Sequence, residues 1–294
     1  MNPTDVRRHA VKACVVVLGT IACGGRTVPP AVVSAAAPAP APADCRADEA
    51  AYVRRAGAER WALMETFAGS AIPQGWEAGV YPWPENGCVM NDSTIAVRDG
   101  LLALTVRARK GETSGAPSPD DDGKICVGAE LHTARFFGRA HVTACLRTEA
   151  TPGTVAAFFA ISQYRQPVWN QQEIDFEWLG KDLGLAQLNV HNHTRPPDTD
   201  LTGTPSFYPL GFAADTGFHR YDLEWDGART RFWVDGTIAE VRTGDTPTLP
   251  LDVVFNHYAV TPSLPWAAKW AGPLRDASLP TRTLVDWVAV LELP

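Results

Sequence analysis

TIAVRDGLLALTVRAR, residues 94–109, decides the architecture. Apolar and polar side chains alternate on both sides of Asp99-Gly100, the period of two that puts every second residue on one face of a strand. Asp-Gly suits the two-residue turn between antiparallel strands, where both central residues take positive φ. FWVDGTIAEV (232–241) repeats the pattern through Asp235-Gly236. Further strand-like runs follow WALMETF (61–67): VGAELHTA, GRAHVTACLRT, VAAFFAISQ, QEIDFEWLG, LAQLNVHNH, HRYDLEWDG, RTRFWVDG, LDVVFNHYAV and LVDWVAVLEL. No segment sustains a helical period over three turns, and strands do not alternate with helices as a parallel sheet requires. An all-β sandwich or barrel is therefore expected beyond residue 45, with 46–62 as a short helix or a loosely packed lead-in.

The first 45 residues read differently. Arg7, Arg8 and Lys12 precede the apolar run ACVVVLGTIA (13–22), the layout of an export signal and too short for a stable membrane span. Two processing routes are open: cleavage to a soluble protein, or lipidation of Cys23, which follows the small Ala22 although Thr20 fits that motif poorly. The Ala/Pro-rich stretch GGRTVPPAVVSAAAPAPAPA (24–43) has the composition of a semi-extended tether, which favours the lipidated route. The expected organisation is a signal over 1–23, a linker over 24–45 and a folded domain over 46–294.

A net charge of -7 gives no reason to expect nucleic acid or an anionic bilayer as partner. Membrane contact is expected only through lipid on Cys23, and the chain is expected to be a monomer. With ten Trp, six Tyr and eleven Phe, aromatic surface left over from the core would suit the flat faces of sugars. Cys14 lies in the signal; with Cys23 lipidated, Cys45, Cys88, Cys126 and Cys145 remain, an even set that allows three pairings. Disulfides fit an oxidising compartment, and without a CxxC a metal-thiolate site is not expected.

NQQEIDFEWLG (170–180) carries the chemistry. Glu173, Asp175 and Glu177 share one face of a strand while Ile174 and Phe176 point the other way. The two glutamates lie roughly 13 Å apart at Cα, and side chains leaning inward bring the carboxyls to roughly 5 Å. Retaining glycosidases need about that distance, because one carboxylate attacks the sugar while the other protonates the leaving oxygen. Crowding keeps at least one group protonated near neutral pH. Trp169 and Trp178 are placed to stack on sugar or to pack at the rim. A solvated acidic edge strand and a calcium site are the alternatives; neither explains long acids flanking a short one in otherwise apolar sequence. His191 and His193 in VHNHTR (190–195) share a strand face but lack a third metal ligand, and no GxSxG marks a serine hydrolase.

EIDFEWLGKD (173–182) resembles the active-site strand of glycoside hydrolase family 16, in the branch without a β-bulge. That branch holds bacterial lichenases, plant xyloglucan transglycosylase/hydrolases and fungal cell-wall transglycosylases. The resemblance extends through AELHTARFFGRAHV, AAFFA, QLNV, LGFAADTGFHRYDLEWDG, RFWVDG and LVDWVAV. It implies a β-jelly roll of two curved antiparallel sheets with a substrate cleft on the concave face. It also implies Glu173 as nucleophile, Asp175 as its helper and Glu177 as acid/base. Substrate contacts are implied at Glu130, at His132 where lichenases carry arginine, at Phe159 and Asn189, and at His191 in place of an aromatic. Asn256 and Tyr258 resemble an asparagine–tryptophan pair, and Trp266 a tryptophan on the following loop.

Cys88 and Cys126 resemble a lichenase cysteine pair, which leaves Cys45 and Cys145 to pair by elimination. Catalysis needs no cofactor by this resemblance; family members often hold a structural calcium on the convex side, for which Asp286 is either a ligand or a plain strand acid. The expected reaction is endo-hydrolysis of a β-1,3-1,4 or related β-glucan with retention. Departures at His132 and His191, and Pro-rich loops at 191–209 and 259–280, bear on which polysaccharide is taken. A transglycosylase is the alternative within enzymes. A noncatalytic glycan-binding module is the alternative outside them, and the presence of all three acids argues against it.

Overall fold

The computed structural model describes residues 44–58, 61–81, 86–113, 121–162, 171–192, 203–244, 246–275 and 278–294. The export signal, Cys23, the tether, Trp169 and His193 lie outside them. The strands begin with β1 (Trp61–Glu65), β2 (Trp76–Ala78), β3 (Cys88–Met90), β4 (Ile95–Arg98), β5 (Leu101–Ala108) and β6 (Cys126–Thr133). They continue with β7 (Ala140–Thr148), β8 (Thr154–Ile161), β9 (Gln172–Leu179), β10 (Leu185–Asn192) and β11 (Ser206–Pro209). The last are β12 (His219–Trp225), β13 (Arg229–Val234), β14 (Thr237–Thr243), β15 (Asp252–Ala259) and β16 (Thr281–Glu292). Two α-helices flank them, α1 (Glu49–Ala58) and α2 (Pro265–Ala271).

The strands pair into two layers. One runs β4-β5-β16-β7-β12-β13-β14, with β1 also on β16; the other runs β11-β10-β9-β8-β15-β6, with β2 on β6. Pairing is antiparallel except for β3 along β6, and the end of β5 pairs with the start of β6 to join the layers. This is the expected jelly-roll sandwich. Both Asp-Gly hairpins form as read: Asp99 and Gly100 take φ of 56° and 74°, and Asp235 and Gly236 take 48° and 76°.

Between the layers sits one apolar core. Ile174, Phe176 and Trp178 of β9 are fully buried in it with Phe158, Phe255 and Leu188 of neighbouring strands. From the opposite layer, Tyr221 and Phe232 meet the Phe176 ring edge-on at 5.5 and 5.4 Å, and Tyr221 meets Trp178 at 4.7 Å. Edge-to-face contact aligns a ring's positive rim with its neighbour's negative face and adds to the burial itself. Trp178, read as either a rim or a packing residue, is a core residue.

Helix α1 fills the place where the sequence allowed a short helix. It covers the outer face of the first layer, with Tyr52 against Trp287 at 4.5 Å and Trp61 at 5.6 Å. Trp287 Nε1 donates to the Cys45 carbonyl at 3.2 Å. Cys45 is bonded to Cys145 of β7, and Cys88 to Cys126, so both expected pairs form. Two short elements went unread in the Pro-rich loops: β11 within 191–209 and α2 within 259–280.

Asp286 sits at an irregularity of the last strand. It is the extra residue of a bulge in β16, between Val285 opposite Leu146 and Trp287 opposite Cys145. Burial, with Glu49 adding and Arg46 opposing, lifts its carboxyl to about 6. Among the described residues no group of three or more His, Cys, Asp or Glu gathers around it as a metal site.

The Cys45–Cys145 bond closes a span of 100 residues, worth about 5 kcal/mol in unfolded-chain entropy. Replacing both cysteines by serine is expected to lower Tm by on the order of 10 °C. Thermal melts of wild type and double variant measure this; coincident melts would mean that α1 is held by packing alone.

Candidate active site

With Ile174, Phe176 and Trp178 committed to the core, the period of two leaves Glu173, Asp175 and Glu177 on the open face of the second layer. Directly opposed residues of antiparallel strands share a face, so the register builds the site in rows. Glu177 aligns with Gln187 on β10 and Ala157 on β8, then through β15 and β6 with Asn256 and Glu130. Asp175 aligns with Asn189 and Phe159, then Val254 and His132. Glu173 aligns with His191 and Ile161, then Asp252. The three acids thus form the second column, between β10 and β8, of a strip that crosses five strands.

The floor beside them is apolar, with Ala157, Phe159, Ile161 and Val254 packed together. Around the acids the polar contacts are specific. Gln171 Nε2 donates to Glu173 Oε2, and Gln187 Nε2 donates to Glu177 Oε2. His191 Nε2 lies 3.4 Å from Asp175 Oδ2 and 2.9 Å from Asn189 Nδ2. Burial and then the charge of Glu173 push the Glu177 carboxyl up to about 8, with Gln187 opposing. Asp175 is pushed well above its ordinary value by burial and by Glu173 and Glu177. A glutamic acid that keeps its proton at neutral pH can donate it to a departing oxygen.

On the β6 side Glu130 is fully buried and accepts a hydrogen bond from the Tyr81 hydroxyl at 2.6 Å. Burial pushes its carboxyl to about 7, while Tyr81, His132 and Asn256 pull it down. Gly79 lies directly over it: a Cβ there would stand 2.5 Å from Glu130 Oε1, so only glycine lets the backbone pass. His132 Nδ1 lies 3.3 Å from Asp252 Oδ2. Among the described residues Glu130 Oε1, Asn256 Oδ1 and Asp252 Oδ1 are buried without a hydrogen-bond partner, and Asp252 Oδ2 has only its pairing with His132. Such atoms cost free energy unless something supplies donors. Sugar hydroxyls are donors of the right kind.

The structure brings most of the sequence-derived site residues together. Glu173, Asp175, Glu177, Glu130, His132, Phe159, Asn189, His191 and Asn256 lie in the strip. Tyr258 packs its ring beneath α2 with Val155, Leu179, Ala267 and Ala271. Burial and then Glu177 raise its hydroxyl well above the usual range. Trp266 stands on α2, 52% exposed and 6.2 Å from Trp270.

Five contributors escaped the sequence reading: Tyr81, Gln171, Gln187, Asp252 and Trp270. Gln187 lies two residues before Asn189, and Asp252 four before Asn256, so period-two counting finds both. No comparable signal marks Trp270, on a seven-residue helix, or Tyr81, in a loop.

A model of the family described as Glycosyl hydrolases family 16 matches residues 84–288. The chain is 27% identical over 181 residues to a beta-glucanase of Paenibacillus macerans, covering 57% of this chain and 70% of that protein. A beta-glucanase of Brevibacillus brevis is 26% identical over 233 residues, 77% of this chain and 80% of its own. The chain spans 50% of the length of a beta-glucanase of Acetivibrio thermocellus. A solved prokaryotic beta-1,3-1,4-glucanase (lichenase) derived from a mouse hindgut metagenome superposes with a TM-score of 0.65 at 25% identity, over 79% of this chain and 99% of that one.

The raised carboxyls set the pH dependence of stability. Above about pH 4.5 the unfolded chain releases the Glu177 proton while the native state keeps it to about 8. The native state binds more protons, so stability falls as pH rises through that window, by about 1.4 kcal/mol per pH unit for each such group. Glu177→Gln is expected to remove about one group's share of this slope. Urea unfolding at several pH values from 5 to 8 reads it; parallel stability curves for wild type and variant would contradict the proton assignment.

Proposed function

This chain belongs to glycosyl hydrolases family 16, and on that premise we propose that it is an endo-acting β-glucanase, cleaving β-1,3-1,4-linked or related β-glucan with retention. The observation that carries the proposal is the carboxyl column on β9, with Glu173, Asp175 and Glu177 on one open face and burial and Glu173 pushing the Glu177 carboxyl up to about 8. The Glu173 carboxylate attacks the anomeric carbon as Glu177 protonates the leaving oxygen, giving a covalent glycosyl ester. Glu177, now ionised, takes a proton from water as that water attacks the ester and releases Glu173. Asp175, held against both glutamates and beside His191, sets their charge balance.

The substrate class is supported by the chemistry of the strip. Orphaned acceptors at Glu130, Asp252 and Asn256 suit a ligand rich in hydroxyls. Carboxyl groups along one face give a sulfated or carboxylated polymer nothing to pair with, whichever of them is ionised, which favours a neutral glucan. The names of the relatives, beta-glucanases and a lichenase, agree with that choice.

Transfer to a second sugar is the competing outcome, and one feature favours it: Trp266, exposed on α2 beside the Trp270 that reaches toward the acid/base. A flat aromatic on that side offers an acceptor a stacking surface. We also place the enzyme outside the cytoplasm. Two disulfides suit an oxidising compartment, and mass spectrometry of the mature N-terminus distinguishes diacylglycerol on Cys23 from a plain cleaved end.

Glu173→Ala is expected to abolish turnover of glucans, while added azide restores turnover of an activated aryl glycoside and yields a glycosyl azide. Glu177→Gln is expected to slow poor leaving groups by about 10²–10⁴-fold and good ones far less. Equal losses across leaving groups would overturn the acid/base role. A product time course on mixed-linkage glucan, laminarin, xyloglucan, cellulose and chitin oligomers, with a labelled acceptor present, separates hydrolysis from transfer. Short products from mixed-linkage glucan without labelled chimeras are expected.

A further inference from the structure

Gln187 does not stand alone against the acid/base. Its Nε2 donates to Glu177 Oε2, and its Oε1 accepts from Trp270 Nε1 at 2.9 Å. A glutamine amide has two faces of opposite character: the NH2 end donates and the oxygen only accepts. An indole N–H can only donate, so Trp270 accepts one orientation of Gln187 and rejects the other. With the oxygen engaged by the indole, the NH2 end must face Glu177.

We propose that Trp270 and Gln187 form a positioning relay, in which helix α2 locks the amide as a donor and the amide fixes the Glu177 carboxyl. It rests on the acid/base role given to Glu177 above.

The relay stands on fixed ground. Ala267 and Ala271 of α2 are fully buried under the second layer. The Ala271 carbonyl accepts from Gly153 N at 2.9 Å, just before β8, and the Lys269 carbonyl from Lys181 Nζ at 3.0 Å, just after β9. The helix is thereby tied to the strand that carries Glu177 and to its neighbour. Gln187 itself is buried opposite Glu177 in the β9–β10 ladder.

A donor held against a carboxyl favours its ionised form. The groups facing Glu177 are Glu173 and Asp175 on its own strand, Tyr258 and Asn256 on β15 and Glu130 on β6; β8 offers only the uncharged Ala157. The neighbouring acids and burial favour the protonated form. Gln187 is the counterweight: it keeps Glu177 strong enough as an acid to give its proton up and steadies the carboxylate left behind. Were the amide to turn, its oxygen would face the carboxyl and repel the charge instead.

Trp270→Phe keeps an aromatic ring and removes the N–H; Gln187→Met keeps the length and removes the donor. The experiment is a carbon-13 NMR titration of the Glu177 carboxyl in the full chain, its signal assigned by its loss in Glu177→Gln. It is paired with the pH profile of kcat on the best glucan. Each variant is expected to raise the Glu177 titration, by roughly half a pH unit or more, and to move the alkaline limb upward with it. KM changes little. Trp270 acts through Gln187, so the double variant titrates with Gln187→Met rather than at the sum of the two shifts.

An unchanged or lowered titration in Trp270→Phe, or additive shifts in the double variant, would overturn the relay. The titration needs no substrate. A wild type inert on every glucan would sink the proposed function and leave this measurement able to judge the relay.

Discussion

Everything at the site depends on Ile174, Phe176 and Trp178 being locked into the core. A strand has two faces, and a shift of one residue exchanges them. The three apolar side chains are fully buried and ringed by Phe158, Tyr221 and Phe232. Moving them outward would expose three large side chains to water and bury three acids, a change no contact at the cleft could offset. The carboxyl column is held at one position by the packing on its far side.

That constraint forces like groups together under partial burial. Neither carboxyls nor their desolvation favours folding; burial, and then the neighbouring acids, raises Asp175 and Glu177 above ordinary carboxyls. Glu130 repeats the situation across the cleft, with Tyr81 above it and Gly79 making room. Orphaned oxygens there and on Asp252 and Asn256 are a second cost carried by the free protein. Both costs are borne at the face of the second layer and not in the core, where the polar atoms can still meet a ligand.

The two helices brace different things. Helix α1, stitched by Cys45–Cys145 and by Tyr52 on Trp287, covers the outer face of the first layer and has no part in the cleft. Helix α2 packs on the ends of β8 and β9 and reaches Glu177 through Trp270 and Gln187. One brace serves stability, while the other reaches a single carboxyl. A short helix suffices for the second task because its job is to aim one N–H.

Much of this was legible in the sequence, for local reasons. Alternation and Asp-Gly turns depend only on neighbours along the chain, so strands such as 94–109 and the Glu173, Asp175, Glu177 face follow from the residues alone. The family resemblance supplied the pairing of Cys88 with Cys126 and the candidates at Glu130, Asn189 and Asn256. What escaped depends on partners distant in the chain. Which residues of β6, β8, β10 and β15 line up beside the acids is a matter of register, fixed only when both layers close on the core. The resemblance offered Asp286 as a calcium ligand; its place at a bulge in β16, near Glu49, is a matter of tertiary packing that its neighbours in sequence do not show. Trp270 lies on a helix too short for its period to show, and its role rests on meeting Gln187, 83 residues earlier. The sequence by itself determined the strands and the face on which Glu173, Asp175 and Glu177 gather, because side-chain period is local. The tertiary structure alone decided what surrounds each group, because proton affinity and orientation are set by whatever packs against it.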